Sequence, residues 1–282
     1  PILFVALLGL LAAMIANFFV GGSVMYGAIS WFGAVLFSAL LVFDVNRAKH
    51  AQDTMGNAVV ITLGIYDPLT TYVDGKIEPF LAESLEASDD LKTYEMTLRK
   101  GVTFHDGTPL NAEAVVKHFD RLKDPATACS CRGLVSIITS MDTPAGADGL
   151  DVTFNLATPS VAFPDLLAGS SGYIESPTAV AKLGAAFKTS PVGTGPFTLS
   201  EFKPGERVVL TAYPGYWGKD DDGVQLPYLD KLTVVPIQDS GQRVAALQTG
   251  NIDIFQTADS GTIAQAEEAG FAAQKISGSS ST

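Results

Sequence analysis

The chain has 282 residues and a formal net charge of −12, with 18 Lys and Arg residues against 30 Asp and Glu residues. Binding to nucleic acid needs clustered cations, and the sequence shows no such cluster, so we expect no nucleic-acid partner. The hydrophobic content of 47% excludes disorder of the whole chain. The mean hydropathy is +0.25 although 17% of the residues are charged. The apolar residues must therefore be concentrated in one region.

Residues 1–43 form that region, because they contain no charged residue. Two apolar runs, 1–20 and 24–43, are separated by a short Gly-Gly-Ser turn. A helix of about 20 residues spans roughly 30 Å, which is the thickness of the hydrocarbon core of a bilayer. The sequence therefore predicts an all-α transmembrane hairpin with the lipid membrane as a partner. The alternative is a pair of buried core helices. The segment 44–50 follows the second run and contains two cations and a histidine, which favours the cytoplasmic side for this segment.

The end of this region carries a first resemblance. The motifs FDVNRAKH (43–50) and DTMGNAVVITLGIY (53–66) resemble the C-terminal part of the Bax inhibitor family of multi-helix membrane proteins. The resemblance implies a calcium leak and a proton-sensing pair of intramembrane aspartates, which would be Asp44 and Asp67. Asp67 follows Ile-Tyr directly, where the family usually has one more residue. The other interpretation is that an aspartate at a helix end marks the membrane boundary.

From Asp67 onward the pattern changes to short strands, turns and amphipathic helices. Alternation of apolar and polar residues predicts strands at 94–98 and 152–156. A Lys-Pro-Gly-Glu turn predicts a hairpin between strands at 197–199 and 208–211. Strands and helices are mixed without an internal repeat, so we expect a mixed α/β fold.

One helix is marked by its cap and by its apolar spacing. Asn111 is a suitable N-cap, and Glu113 lies in the first turn, where the helix dipole favours an acid. Five apolar residues then recur at helical spacing and predict one buried face. They are Ala112, Val115, Val116, Phe119 and Leu122.

Four long motifs carry a second resemblance. In chain order they are LRKGVTFHDGTPLNAEAVVKHFDRL (98–122), GYIESPTA (172–179), VGTGPFTLSEFKPGERVVLTAYPGYWG (192–218) and YLDKLTVVPIQDSGQRVAALQTGNIDIF (228–255). They resemble the oligopeptide- and dipeptide-binding receptors of ABC importers, known as solute-binding protein family 5. The resemblance implies a periplasmic-binding-protein-like (type II) fold with two lobes that close on a peptide or small solute. It also implies an ABC transporter permease as partner and a place in the bacterial periplasm or on the outer face of the cell membrane.

The two resemblances predict the organisation of the chain. Residues 1–56 would form two transmembrane helices and a basic loop, 57–68 a junction, and 69–282 a partial solute-binding domain without its second lobe. Both resemblances meet at residues 57–67, which suggests a chimeric gene or an assembly product. The main functional prediction is a membrane-anchored solute receptor of an ABC importer. The alternative is a Bax-inhibitor-type membrane protein with a pH-sensitive calcium leak.

The resemblance to the peptide receptors also suggests residues at the ligand cleft. In such receptors, affinity comes from hydrogen bonds and from aromatic side chains that line a closing cleft. The alternative for the aromatic residues is a structural role as loop anchors and core side chains. The resemblance places the DPLTTY loop (67–72) at the cleft. The candidates are Tyr66, Asp67, Thr70 and Tyr72 in and beside this loop, with Tyr216 and Trp217 in the GYWG motif.

The sequence predicts no catalytic site, no metal site and no cofactor. The three histidines, His50, His105 and His118, are not spaced as metal ligands. Cys129 and Cys131 lack the spacing of a zinc or thioredoxin site, so we expect either free thiols or a local disulfide. There is no Gly-x-Ser-x-Gly elbow and no phosphate-binding loop ending in Gly-Lys-Ser/Thr. The resemblance likewise implies a protein that is not an enzyme.

Overall fold

The computed structural model describes residues 62–257 and 259–274. The predicted transmembrane hairpin, the basic loop and Asp44 lie outside these residues, as does the first part of the predicted junction. Within the two described ranges, no helix is both long enough and apolar enough to cross a membrane.

The DPLTTY segment enters a β-hairpin. Strand β1 (Thr70–Val73) pairs antiparallel with strand β2 (Lys76–Pro79). Asp74 and Gly75 connect them with positive φ angles of 50° and 77°. Positive φ at both central residues is typical of the tight turn that fits the twist of a two-stranded hairpin, and Asp-Gly is a preferred sequence for it.

The larger sheet has four antiparallel strands in the order β3-β4-β6-β5. They are β3 (Ala82–Ala87), β4 (Thr93–Leu98), β5 (Ile138–Asp142) and β6 (Asp151–Leu156). The two strands predicted from alternation are the central pair β4 and β6, so that prediction is confirmed. One face of this pair is buried in the main core, through Tyr94, Met96, Leu98, Val152, Phe154 and Leu156.

The helix predicted after Asn111 is α1 (Ala112–Lys123). The Asn111 side chain caps it by accepting a hydrogen bond from the Ala114 N–H at 3.0 Å. Phe119, on the buried face of the helix, meets Phe154 of β6 edge to face, with ring centroids 5.5 Å apart. Three short helices follow: α2 (Arg132–Val135), α3 (Phe163–Ala168) and α4 (Pro177–Leu183). Short 3-10 segments lie at Pro125–Thr127, Ser170–Gly172 and Gly184–Thr189.

A second sheet of three antiparallel strands has its own small core. Its order is β7 (Phe197–Lys203), β8 (Arg207–Ala212) and β9 (Lys231–Val234). The predicted hairpin joins β7 and β8. Ile65 is fully buried against this sheet, although residues 62–65 are helical and do not add a strand. Two helices, α5 (Ser240–Gln248) and α6 (Ser260–Glu268), follow the sheet. The mixed α/β prediction is thus confirmed for the described residues.

Candidate functional site

A pocket of about 190 Å³ lies beside the segment that enters the β1–β2 hairpin. Four aromatic rings and one carboxylate contribute to its wall, which combines apolar and polar surface. Aromatic side chains with a few placed polar groups are also found in small-molecule sites. The lining residues are Leu63, Tyr66, Asp67, Pro68, Thr71, Phe80, Tyr173, Pro196 and Tyr216.

Asp67 is the carboxylate of this pocket, and it is almost completely buried, with 3% of its surface exposed. Its Oδ2 accepts hydrogen bonds from Trp217 Nε1 at 2.8 Å and from Thr194 Oγ1 at 3.2 Å. Burial raises the pKa of Asp67 to about 6, although hydrogen bonds from Trp217, Thr194 and Tyr216 act in the opposite direction. The carboxylate is therefore desolvated but well paired, and it takes up a proton in mildly acidic solution.

Two glycines allow the loop at residues 193–195 to reach Asp67. A Cβ atom on Gly193 would lie 2.2 Å from the carbonyl oxygen of Ile65, and one on Gly195 would lie 2.6 Å from its carbonyl carbon. The Gly195 N–H instead donates to that oxygen at 2.9 Å. Because the two backbones are in contact, Thr194 between the glycines is brought to the buried carboxylate.

His105 supports the same loop from the other side. Its Nε2 lies 2.9 Å from the carbonyl oxygen of Gly195, and its Nδ1 accepts the Gly193 N–H at 3.5 Å. This pairing requires the neutral imidazole with its proton on Nε2. Burial lowers the pKa of His105 and so favours the neutral form. Its ring also meets that of Tyr213 edge to face.

Three of the six predicted ligand-binding residues line the pocket: Tyr66, Asp67 and Tyr216. Burial raises the pKa of both tyrosines, so their hydroxyls remain protonated and can act as donors. Trp217 is not in the wall and binds Asp67. Its ring also packs against Phe80 at a centroid distance of 5.2 Å.

Thr70 and Tyr72 are directed to helix α3 and do not line this pocket. The Thr70 hydroxyl donates to the carbonyl oxygen of Pro164 at 2.9 Å. The Tyr72 hydroxyl donates to Asp165 Oδ1, and the residue is 56% exposed. Both residues attach the β1–β2 hairpin to α3.

Sequence reasoning missed Phe80, Tyr173 and Thr194 as parts of this site. Tyr173 belongs to the GYIESPTA motif and Thr194 to the GTGP turn, so motifs marked these segments without indicating their contacts.

Charged residues lie behind Tyr66. Arg121 and Glu175 form an ion pair at 2.5 Å, and His118 Nδ1 lies 3.5 Å from the same carboxylate oxygen. Glu175 raises the pKa of Tyr66 and Arg121 lowers it, so both charges act on the pocket wall.

The remaining candidates for chemistry lie outside this pocket where the structure describes them. Cys129 and Cys131 form a local disulfide, which decides between the two states expected from the sequence. Among residues 62–257 and 259–274, no group of three or more His, Cys, Asp or Glu side chains is arranged to hold a metal ion. His50 lies outside the described residues.

Comparison with known proteins gives the relationship of this chain. Residues 76–281 match the family model described as bacterial extracellular solute-binding proteins, family 5 Middle. The chain belongs to this family. Residues 1–69 match a different family model, described as inhibitor of apoptosis-promoting Bax1. Both resemblances noted in the sequence are therefore confirmed. The last residues of the second match, from Ile65 to Leu69, contribute to the cores of the solute-binding fold.

Curated and solved relatives agree with this family. The glutathione-binding protein GsiB of Shigella flexneri is 38% identical over 175 residues, which cover 62% of this chain and 33% of GsiB. The periplasmic binding protein AgaA of A. tumefaciens R10, solved with agropinic acid, is 35% identical with a TM-score of 0.61, covering 68% of this chain and 38% of AgaA. DppA of Helicobacter pylori, solved with the peptide STSA, is 31% identical with a TM-score of 0.58, and the match covers 67% of this chain and 40% of DppA. This chain spans about a third of the length of the curated relatives.

Proposed function

We propose that this chain is the extracytoplasmic solute receptor of a bacterial ABC importer and binds peptides or peptide-like small solutes for its permease. The observation that carries the proposal is the pocket beside Asp67, whose wall contains four aromatic rings and one buried carboxylate. The names of the relatives support the ligand class, because GsiB is a glutathione-binding protein and DppA was solved with a peptide.

The pocket is suited to non-covalent capture of one part of a solute. Its volume of about 190 Å³ is below the roughly 300–1,000 Å³ of a site for a whole drug-sized ligand. It would therefore hold one side chain or one terminal group, and the rest of the solute would lie outside it. The rings of Phe80 and Tyr173 offer apolar contact, and the protonated hydroxyl of Tyr66 can donate to a carbonyl oxygen of the solute, whereas the Tyr216 hydroxyl is bonded to Asp67.

The experiment is isothermal calorimetry on the whole chain with glutathione and a set of short peptides. The whole chain is needed because a fragment that starts at residue 69 would lack Ile65 and Asp67, which are buried in the fold. Tyr66→Phe removes a hydroxyl from the pocket wall, and Tyr72→Phe is the matched control because Tyr72 bonds Asp165 outside the pocket. We expect Tyr66→Phe to weaken binding about 3- to 10-fold, in proportion to one hydrogen bond, and Tyr72→Phe to leave it unchanged. Absence of heat from a folded sample, or equal effects of the two variants, would contradict the proposal.

The location of the chain is part of the same proposal. The family is extracellular, so we place the solute-binding part outside the cytoplasm. Anchoring by residues 1–43, the division at 1–56, 57–68 and 69–282, and the joining of two partial genes near 57–67 stay predictions. Sequencing the source locus across this junction tests the joining, because a true fusion requires continuous reads.

The match of residues 1–69 to the Bax1 model supports a second candidate, a membrane protein with a pH-sensitive calcium leak. Of its aspartate pair, Asp44 lies outside the described residues and Asp67 is bonded to Trp217 and Thr194. Calcium flux into liposomes that disappears in Asp44→Asn is the result that this candidate requires. Flux equal to that of empty vesicles would end it.

A further inference from the structure

A disulfide joins Cys129 and Cys131, which are only two positions apart. The Cα atoms of the two cysteines are 5.2 Å apart, and Ser130 between them is exposed. The bridge lies just before helix α2 and packs against the edge of the main core. The bridge is not part of the pocket wall or of any described strand, so we consider the chemistry of the bridge itself.

The bridge closes a loop of three residues, so it restricts the unfolded chain very little. In the chain-entropy description, the stabilisation from a disulfide increases with the number of residues in the closed loop. The surrounding backbone is also held without it, since the Leu134 N–H donates to the Cys131 carbonyl at 2.9 Å and the Ala128 N–H donates to the Pro125 carbonyl at 3.1 Å. The fold is therefore expected to persist when the bridge is reduced.

The two sulfur atoms belong to residues that differ in access and in hydrogen bonding. Cys131 is 7% exposed and belongs to the main core, whereas Cys129 is only partly buried at its edge. The Cys131 N–H donates to Cys129 Sγ at 3.1 Å. A backbone donor at this distance stabilises a thiolate on Cys129 and so favours its release in the step that completes reduction, whereas first attack on Cys129 rests on its greater access. Arg132 follows directly and is fixed by a bond from its Nε to the Lys123 carbonyl at 3.0 Å, which adds a permanent cation to the segment.

We propose that Cys129–Cys131 is a redox-active disulfide that exchanges with low-molecular-weight thiols while the fold stays intact. The thiolate of the small thiol attacks Cys129 Sγ, the bridge breaks, and Cys131 leaves as a thiolate that takes up a proton. A second small thiolate then attacks the external sulfur of the mixed disulfide. This step releases the oxidised dimer of the small thiol and the Cys129 thiolate. Two electrons pass from the two small thiols to the protein disulfide.

The test uses the whole chain in glutathione buffers of graded redox poise, without denaturant. Free thiols are trapped by alkylation and counted by mass spectrometry, and circular dichroism follows the fold. We expect millimolar glutathione to reduce the bridge with no loss of the folded signal. A bridge that stays oxidised until denaturant is added, or that is reduced only together with loss of the folded signal, would overturn the proposal.

Single variants test which of the two sulfur atoms is accessible for exchange with a small disulfide. Cys131→Ser leaves the accessible Cys129, and Cys129→Ser leaves the buried Cys131, so each variant is the matched control for the other. We expect the thiol of Cys131→Ser to form a mixed disulfide with oxidised glutathione at least about 10-fold faster than that of Cys129→Ser. Equal rates, or the reverse order, would overturn attack at Cys129. If either variant does not fold, the thiol count on the unmodified chain still decides whether the bridge is redox-active.

Discussion

Trp217 donates its indole N–H to Asp67 Oδ2 at 2.8 Å, across 150 positions of sequence. Asp67 lies between Ile65, which is buried against the three-stranded sheet, and Leu69, which is buried in the main core. The bond therefore holds the short segment that passes from one core to the other. The same segment forms one wall of the pocket, so the stability of this link and the shape of the pocket depend on each other.

Trp217→Phe should destabilise the fold more at neutral pH than at acidic pH. The change keeps an aromatic ring but removes the donor to a buried carboxylate, and a hydrogen bond to an ionised group is worth about 1.5–3 kcal/mol. Below the Asp67 pKa of about 6 the carboxyl is neutral and the lost bond is weaker. Urea unfolding at about pH 7.5 and pH 5 measures both costs.

The matched control for this prediction is Asp67→Asn, alone and combined with Trp217→Phe. The two single variants and the double variant form a double-mutant cycle, in which residues in direct contact show a coupling free energy of roughly 0.5–3 kcal/mol. An equal cost of Trp217→Phe at both pH values, or additive effects in the double variant, would show that the bond does not govern the stability of this link.

Asp67→Asn should also remove one component of the pH dependence of stability. The pKa of Asp67 is raised from 3.8 to about 6 by burial, so between these values the folded chain holds a proton that the unfolded chain has lost. This group therefore makes the free energy of unfolding decrease as pH rises from about 4 to about 6, by on the order of 3 kcal/mol in total. Urea unfolding of the unmodified chain and of Asp67→Asn from about pH 4 to 7 measures how their free energies of unfolding differ with pH. Parallel curves for the two chains would contradict the raised pKa.

The sequence was informative where local pattern determines structure. The alternation at 94–98 and the Asn111 cap each predicted an element correctly, because side-chain period and capping depend on a few neighbouring residues. The β1–β2 hairpin was missed although Asp74-Gly75 marks its turn, since the segment was interpreted through its resemblance to a ligand loop.

The pocket was less predictable because its walls come from distant segments. Tyr66, Asp67 and Tyr216 were named from motifs, but nothing local indicates that Phe80 and Tyr173 join them. Thr70 and Tyr72 were assigned to the cleft through the family resemblance. Their hydroxyls bond to α3 outside this pocket, and their assignment to the ligand cleft stays a prediction.

His105→Gln should destabilise the fold more at neutral pH than at acidic pH. Burial lowers the pKa of His105 below its ordinary value of 6.5, so the stabilisation from the neutral ring is present above pH 6.5 and is lost as pH falls through the pKa of the folded state. The bond to Gly195 at 2.9 Å suggests a cost of about 1–3 kcal/mol at neutral pH. We expect this cost, measured by urea unfolding, to decrease towards about pH 5. A cost that increases on acidification would contradict the neutral, Nε2-protonated ring.

Gly193→Ala should be among the most destabilising single changes near the pocket. The added Cβ would lie 2.2 Å from the carbonyl oxygen of Ile65, and backbone on both sides cannot move aside as a flexible side chain can. Separating the two backbones would also weaken the Gly195 N–H bond to Ile65 and displace Thr194 from Asp67. We therefore expect the free energy of unfolding to fall by about 3 kcal/mol or more.

Gly133→Ala is the matched control, because a Cβ there meets nothing within 4 Å. Gly133 lies in helix α2, where alanine is favoured over glycine by up to about 1 kcal/mol. Thermal unfolding of the two variants beside the unmodified chain should therefore lower Tm for Gly193→Ala and leave it equal or higher for Gly133→Ala. Equal Tm values for the two variants would mean that the loop at 193–195 does not require its close approach to Ile65.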